Sequence, residues 1–154
     1  MTPRFLPNYA LESVPRYTSC PPATGFGEVD GEALWSDWMK TLPARPKISL
    51  YLHIPFCKTM CWYCGCNTTI PNKAERVDRY LGALKSELRS RARSLPADAE
   101  VHHIHFGGGS PDMLTPDQFS ELMTEIRHAF NLAEKAEIAT ELDPRGVTEA
   151  LANR

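Results

Sequence analysis

The chain has no apolar run approaching the roughly 18 residues of a membrane-spanning helix, so a membrane span is not expected. Its start, Met1-Thr-Pro-Arg-Phe-Leu-Pro7, lacks the apolar core of a secretory signal, which argues against export and for a cytoplasmic setting. It also lacks a charge excess. A formal net charge of -2 argues against a dedicated nucleic-acid binder. The glycine run Gly107-Gly-Gly109 is not followed by the Lys-Ser/Thr of a phosphate loop, and its spacing is wrong for a dinucleotide fingerprint. Cysteine is nearly absent outside one loop: of 5 cysteines, only Cys20 lies elsewhere. That distribution excludes a disulfide framework spread along the chain.

The informative feature is the other four, Cys57, Cys61, Cys64 and Cys66, crowded into ten residues. Thiolates are soft ligands, and a compact set of them selects zinc, copper(I) or iron–sulfur chemistry. Structural zinc sites usually pair two short cysteine hairpins across a spacer, and this loop has no second knuckle. His102, His103 and His105 offer other ligands, with His103 and His105 on one face of a strand, although such histidines often only pack and hydrogen-bond. If Cys57, Cys61 and Cys64 hold a cubane cluster, one iron has no protein thiolate and stays open to a ligand.

Hydrophobic patterning gives the frame. Residues 1–46 read as an extended, proline-broken arm with one helix. In that helix Leu34, Trp35, Trp38 and Leu42 recur at helical spacing, and its two tryptophans call for burial against a body. Residues 47–54 alternate: Ile48, Leu50, Leu52 and Ile54 face one way, Ser49, Tyr51 and His53 the other. A helix is predicted over 73–94 with Val77, Tyr80, Leu81, Leu84 and Leu88 as its buried stripe. Its basic residues, Lys73, Arg76, Arg79, Lys85, Arg89, Arg91 and Arg93, read as a wet helix face. A second strand spans 100–106. Thr115-Pro-Asp-Gln118 carries the marks of a helix start, with Phe119, Leu122, Met123, Ile126 and Phe130 as the apolar stripe. A third strand is predicted near 137–142, and Val147–Arg154 opens another helical pattern. Strand–helix–strand–helix–strand is the order of a parallel sheet with crossover helices. Three strands cannot close a barrel, so the expectation is the front part of a larger α/β barrel with an exposed sheet edge and face. A complete small α/β domain is the rival.

In such barrels sites form after the C-terminal ends of strands. The cysteine loop, Gly107–Ser110 and Glu141 all fall there. The first of these, Cys57-Lys-Thr-Met-Cys61-Trp-Tyr63-Cys64, resembles the C-x3-C-x2-C signature of the radical S-adenosylmethionine (radical SAM) enzymes, aromatic residue included. The flanks Tyr51-Leu-His-Ile-Pro-Phe-Cys57 and Cys64-Gly-Cys66, with the arm segment Pro15–Pro21, are similar to the oxygen-independent coproporphyrinogen III oxidases of that superfamily. Gly107-Gly-Gly-Ser-Pro111 and Glu141-Leu-Asp-Pro-Arg145 extend the resemblance over essentially the whole chain. Two positions depart from it: Cys20 stands where those enzymes usually have tyrosine, and Ser110 where they have threonine.

The resemblance implies an α/β fold, the N-terminal part of a partial (β/α)6 barrel: residues 1–46 as an arm and 47–154 as the first three strand–helix units. It implies a [4Fe–4S] cluster on Cys57, Cys61 and Cys64. Tyr51, Gly108 and Glu141 match positions that contact S-adenosylmethionine, and Tyr63, Gly109 and Ser110 match positions near a second molecule of it. Reductive cleavage of the cofactor gives a 5′-deoxyadenosyl radical, which takes a hydrogen from a propionate β-carbon of coproporphyrinogen III. Loss of CO2 and one electron leaves a vinyl group, and two such events give protoporphyrinogen IX in heme biosynthesis. Arg16 is the candidate contact to the substrate's carboxylates. Cys66 is placed beside cofactor or substrate rather than on iron. A one-electron reductant such as flavodoxin or ferredoxin and a monomeric full-length protein are implied too. The alternatives are a related radical heme chaperone, another tetrapyrrole-modifying enzyme, or a non-catalytic iron–sulfur or zinc module that binds a partner or RNA.

Overall fold

The structure is a computed structural model, and it describes residues 22–146. Arg16, Cys20 and the helical pattern of Val147–Arg154 lie outside the described residues. The chain divides into two compact units between Leu34 and Trp35. Helix α1 (Gly31–Lys40) spans that division. Asp30 starts it, its carboxylate accepting from the Ala33 N–H at 3.0 Å, as an N-cap side chain does.

The second unit is built on three parallel strands in the order β1 (Lys47–Ile54), β2 (Glu100–Gly108) and β3 (Leu132–Thr140). Helix α2 (Ala74–Ser94) connects the first pair and α3 (Pro116–Ala129) the second. This is the expected strand–helix alternation, and the parallel pairing follows from it. β1 occupies the predicted residues, and Leu52 and Ile54 are fully buried. They meet Val101, Ile104 and Phe106 of β2, Val77, Leu81 and Leu88 of α2, and Leu122, Met123 and Ile126 of α3 in one core. Phe106 has no exposed surface, so truncating it to alanine would cost about 3–5 kcal/mol.

Thr115 forms the predicted capping box: its hydroxyl accepts from the Gln118 N–H, and the Gln118 side chain accepts from the Thr115 N–H at 2.9 Å. Lys85–Glu121 at 2.7 Å and Arg89–Glu125 at 2.8 Å then lace α2 to α3.

Three expectations change. β2 runs two residues further than predicted, because glycine can pair as well as turn. β3 spans Leu132–Thr140 rather than 137–142. The residues added at its front, Leu132-Ala-Glu-Lys-Ala, lack clean alternation, and β3 is an edge strand in which no residue is buried, so its sequence carries little of the period-two signal. Trp38 is not buried but 57% exposed. Only Trp35 engages the body, its indole N–H donating to Ser94 Oγ at 3.1 Å while Arg91 lies 5.0 Å over its ring. That contact is with one end of α2, too narrow to cover a second indole.

Among the described residues, the sheet face opposite the helices is open. Ser49, Tyr51 and His53 line up there with His103, His105 and Gly107 through the β1–β2 register, and Tyr51 is 58% exposed. Tyr51 stacks on His105 with ring centroids 5.7 Å apart, and His103 hydrogen-bonds Ser49 at 3.3 Å.

Candidate active site

Each of the three predicted loops is fixed to the sheet by backbone hydrogen bonds. After β1, Pro55 and Phe56 carry the chain into the cysteine loop. The loop is pinched at its base, where Thr69 donates to the Pro55 carbonyl at 2.8 Å and Cys57 to the Thr69 carbonyl at 3.1 Å. Buried Phe56 anchors that base edge-on against Tyr80. After β2, Gly109 N–H donates to Ile54 O at 2.9 Å and Ser110 N–H to Phe56 O at 2.7 Å, which brings the glycine turn beside Cys57. After β3, Glu141 N–H donates to Phe106 O at 2.9 Å and draws that carboxylate to the end of β2.

The glycines are required by these approaches. Gly108 has φ +109, a left-handed conformation, and an added Cβ would stand 2.4 Å from the His53 ring. At Gly109 an added Cβ would stand 2.5 Å from the Phe56 carbonyl oxygen and 2.7 Å from Thr68 Oγ1. The run is therefore more than a strand-to-helix turn: it lets two strand ends and the cysteine loop close on one place.

There the chain forms a cleft of about 590 Å3 whose walls include Cys57, Cys61, Tyr63, Gly109, Ser110 and Glu141. That volume lies within the usual range for small-molecule sites, about 300–1,000 Å3. Tyr51 and Gly108 adjoin it through Glu141. Glu141 Oε2 accepts from the Gly108 N–H at 3.1 Å, and Oε1 faces His105 Nε2 at 3.2 Å. Tyr63 projects from the loop almost fully, at 92% exposed, and Trp62 beside it is bare.

The electrostatics tie the groups together. Partial burial, the Glu141 carboxylate and Cys66 push the Tyr51 hydroxyl up from its ordinary range. The hydrogen bond and charge of Cys64 act first on Cys66; burial, Glu141 and Cys57 add to them and raise its thiol too. Cys66 is exposed rather than packed into the core. It faces Cys64 and Glu141 instead.

Ser110 is held between two loops. Its side chain is buried, and its hydroxyl donates to Asp112 and accepts from the Asp143 N–H at 3.1 Å. The hydroxyl thus ties the loop after β2 to the loop after β3. The histidines do not gather as ligands either: His102 turns to Glu100 at 2.9 Å, while His103 and His105 bond to different partners.

Sequence reasoning assigned no role to Asp143 and Arg145. Three hydrogen bonds of 2.7–3.1 Å hold the guanidinium on the Asp143 carboxylate. They and a backbone bond from the Arg145 N–H lower the Asp143 pKa to about 2. Arg145 Nη2 also points at Cys61 Sγ, 3.8 Å away. The signal was present as a cation four residues past Glu141, but a chain reversal is needed to bring it to the cysteines.

The thiols are soft donors of the kind an iron–sulfur cluster takes. A cubane distributes its thiolates over separate irons. Cys57, Cys61 and Cys64 offer soft donors from one short loop, all partly buried, with a cleft alongside.

Comparison with known proteins agrees with this geometry. The sequence profile of the Radical SAM superfamily matches residues 51–153. The oxygen-independent coproporphyrinogen III oxidase of Bradyrhizobium diazoefficiens is 45% identical over 141 residues, which cover 92% of this chain and 31% of that protein. The enzyme of the same name from Salmonella typhimurium is 44% identical over 135 residues, 88% of this chain and 29% of its own length. A solved structure of coproporphyrinogen III oxidase from Escherichia coli, described as a radical SAM enzyme, superposes with a TM-score of 0.77. It is 41% identical and covers 86% of this chain and 30% of its own. The chain therefore spans about 30% of the length of these relatives.

Proposed function

The chain belongs to the Radical SAM superfamily, and on that premise we propose that it is the N-terminal part of an oxygen-independent coproporphyrinogen III oxidase. The whole protein would convert two propionates of coproporphyrinogen III to vinyl groups, giving protoporphyrinogen IX. The observation that carries this reading is one cleft faced by cysteines of the C-x3-C-x2-C loop and by Glu141, whose carboxylate is fixed to Gly108. Identity of 44–45% to two enzymes of that name, across 88–92% of this chain, supports the substrate class. In this reading residues 1–46 form an arm and 47–154 the first three units of a partial (β/α)6 barrel.

The superfamily implies a [4Fe–4S] cluster and S-adenosylmethionine, which together supply a reducing electron and a carbon-centred radical that abstracts hydrogen. Cys57, Cys61 and Cys64 would hold the cluster as thiolates. Glu141 accepts hydrogen bonds from a cationic amine or a ribose, which a carboxylate does more strongly than a neutral group. Tyr51, its ionisation suppressed, keeps its O–H as a donor at neutral pH. Gly109 lets the wall close against Phe56 and Thr68, which sets the position of the cleft beside Cys57. Trp62 and Tyr63 present apolar faces at the rim of the cleft. Tyr63, Gly109 and Ser110 would lie near a second S-adenosylmethionine, as parts of the cleft wall. Cys66 and Arg16 serve the substrate side, and a flavodoxin or ferredoxin supplies electrons. Among the described residues no helix is long and apolar enough to cross a membrane; the proposed setting is cytoplasmic, with a monomeric full-length protein.

The test is anaerobic reconstitution of the full-length protein with iron and sulfide. About four of each per chain, with 5′-deoxyadenosine formation and protoporphyrinogen IX as product, is the expected result. Stoichiometric zinc without iron would refute the cluster. Cofactor cleavage without decarboxylation of coproporphyrinogen III would move the assignment to another tetrapyrrole protein of the superfamily.

A further inference from the structure

The basic stretch of α2 does not behave as one wet face. Its C-terminal half is engaged: Lys85 and Arg89 pair with Glu121 and Glu125 of α3, and Arg91 lies over Trp35. Its N-terminal half is not. Among the described residues, neither Arg76 nor Arg79 pairs with a carboxylate, and both line a second cleft, of about 670 Å3. His53, Thr68, Thr69 and Tyr80 are among the other residues of its walls, which among the described residues contain no carboxylate and share no residue with the first cleft. Of the acids on this part of α2, Asp78 accepts from Gln118 of α3 at 2.7 Å, and Glu75 is exposed in the first turn. Across the cleft His53 is bound to the Asn67 carbonyl at 3.0 Å.

One residue joins the two clefts. Thr68 lines the second, and its hydroxyl lies 3.2 Å from the sulfur of Cys57, which lines the first. A cationic surface thus stands one hydrogen bond from a thiol proposed to hold the cluster.

We propose that the Arg76–Arg79 cleft is the docking surface for an acidic one-electron carrier protein, with Thr68 and Cys57 as the entry path. The inference rests on the proposed function, because it needs a reducible cluster on Cys57. The occupant is set by charge: unpaired guanidinium groups attract a carboxylate-rich surface and raise its encounter rate, an effect that salt screens. The step balances simply. The reduced carrier loses one electron, the cluster passes from the 2+ to the 1+ state, and no bond or proton is exchanged.

The experiment uses the full-length, reconstituted protein and its R76E/R79E variant. Each is reduced anaerobically by reduced flavodoxin, and separately by photoreduced deazaflavin, a small donor that needs no docking surface. The expected result is a fall of roughly tenfold or more in the flavodoxin rate at low salt, within the range of electrostatic steering. The gap should close at high salt, and deazaflavin reduction should be unchanged. Wild-type rates with flavodoxin in the variant would overturn the proposal. Equal loss with both donors would also overturn it, because the arginines would then serve the cluster or the fold. Loss of decarboxylation with deazaflavin as donor, at normal cluster reduction, would assign the cleft to the anionic substrate instead. A wild-type protein that neither donor reduces would instead remove the functional reading beneath the inference.

Discussion

Glu141 is fixed to the backbone of Gly108, Oε2 to N–H, at 3.1 Å, although 33 residues separate them. The contact spans the ends of β2 and β3 and leaves the second oxygen on His105. It orients the carboxylate before any ligand arrives. In the full-length protein, Glu141→Gln should keep the fold, because the amide still offers an acceptor to Gly108. Binding of S-adenosylmethionine should weaken about tenfold or more, the loss of one hydrogen bond to a charged group, about 1.5–3 kcal/mol. Equilibrium dialysis measures this, and an unchanged dissociation constant would take Glu141 out of the cofactor site.

Two glycines predict opposite outcomes. Gly108→Ala places a Cβ in a left-handed conformation against the His53 ring and should cost at least about 1–3 kcal/mol. Gly82 lies inside α2, with no atom within 4 Å of a Cβ. Gly82→Ala should therefore stabilise by about 0.5–1 kcal/mol through helix propensity alone. Urea midpoints of the two variants should move in opposite directions.

The cysteines divide three to one. Alanine at Cys57, Cys61 or Cys64 should remove most of the iron from the reconstituted full-length protein and abolish 5′-deoxyadenosine formation. Cys66→Ser should leave iron and sulfide nearly intact while lowering turnover. Loss of iron from Cys66→Ser as complete as from Cys61→Ala would make Cys66 a ligand.

Arg145 holds the Asp143 carboxyl at about 2, below its ordinary range. A depressed carboxyl stabilises the fold at pH above its unfolded pKa of about 4, and that contribution is lost as pH falls through the folded value. A carbon-13 titration of the Asp143 carboxyl in the apoprotein should show its midpoint near 2. Arg145→Gln should return the midpoint to the ordinary carboxylate range. A midpoint already ordinary in the wild type would remove the ion pair.

Much of the frame was legible in residue order, because period and capping are local properties. The alternation at 47–54 identified β1, the 3.6-residue stripe identified α2, and Thr115-Pro-Asp-Gln118 marked the start of α3. The cysteine spacing identified the candidate ligands, since thiolates in one short loop need no distant partner to be recognised. Other features depended on contacts that no local pattern encodes. The length of β3 was hidden because an edge strand is not compelled to alternate. Trp38 was misread as buried because a tryptophan's tendency to burial does not say whether a surface is there to cover it. The engagement of the Ser110 hydroxyl by Asp112 and the Asp143 amide joins loops that no local pattern pairs. The division of the α2 basic stretch needed α3, whose glutamates meet Lys85 and Arg89 and leave Arg76 and Arg79 beside Thr68. Residue types and spacing determined which chemistry this chain is equipped for. Tertiary structure decided which groups meet, because three strand ends far apart in the chain become neighbours only when the parallel sheet forms.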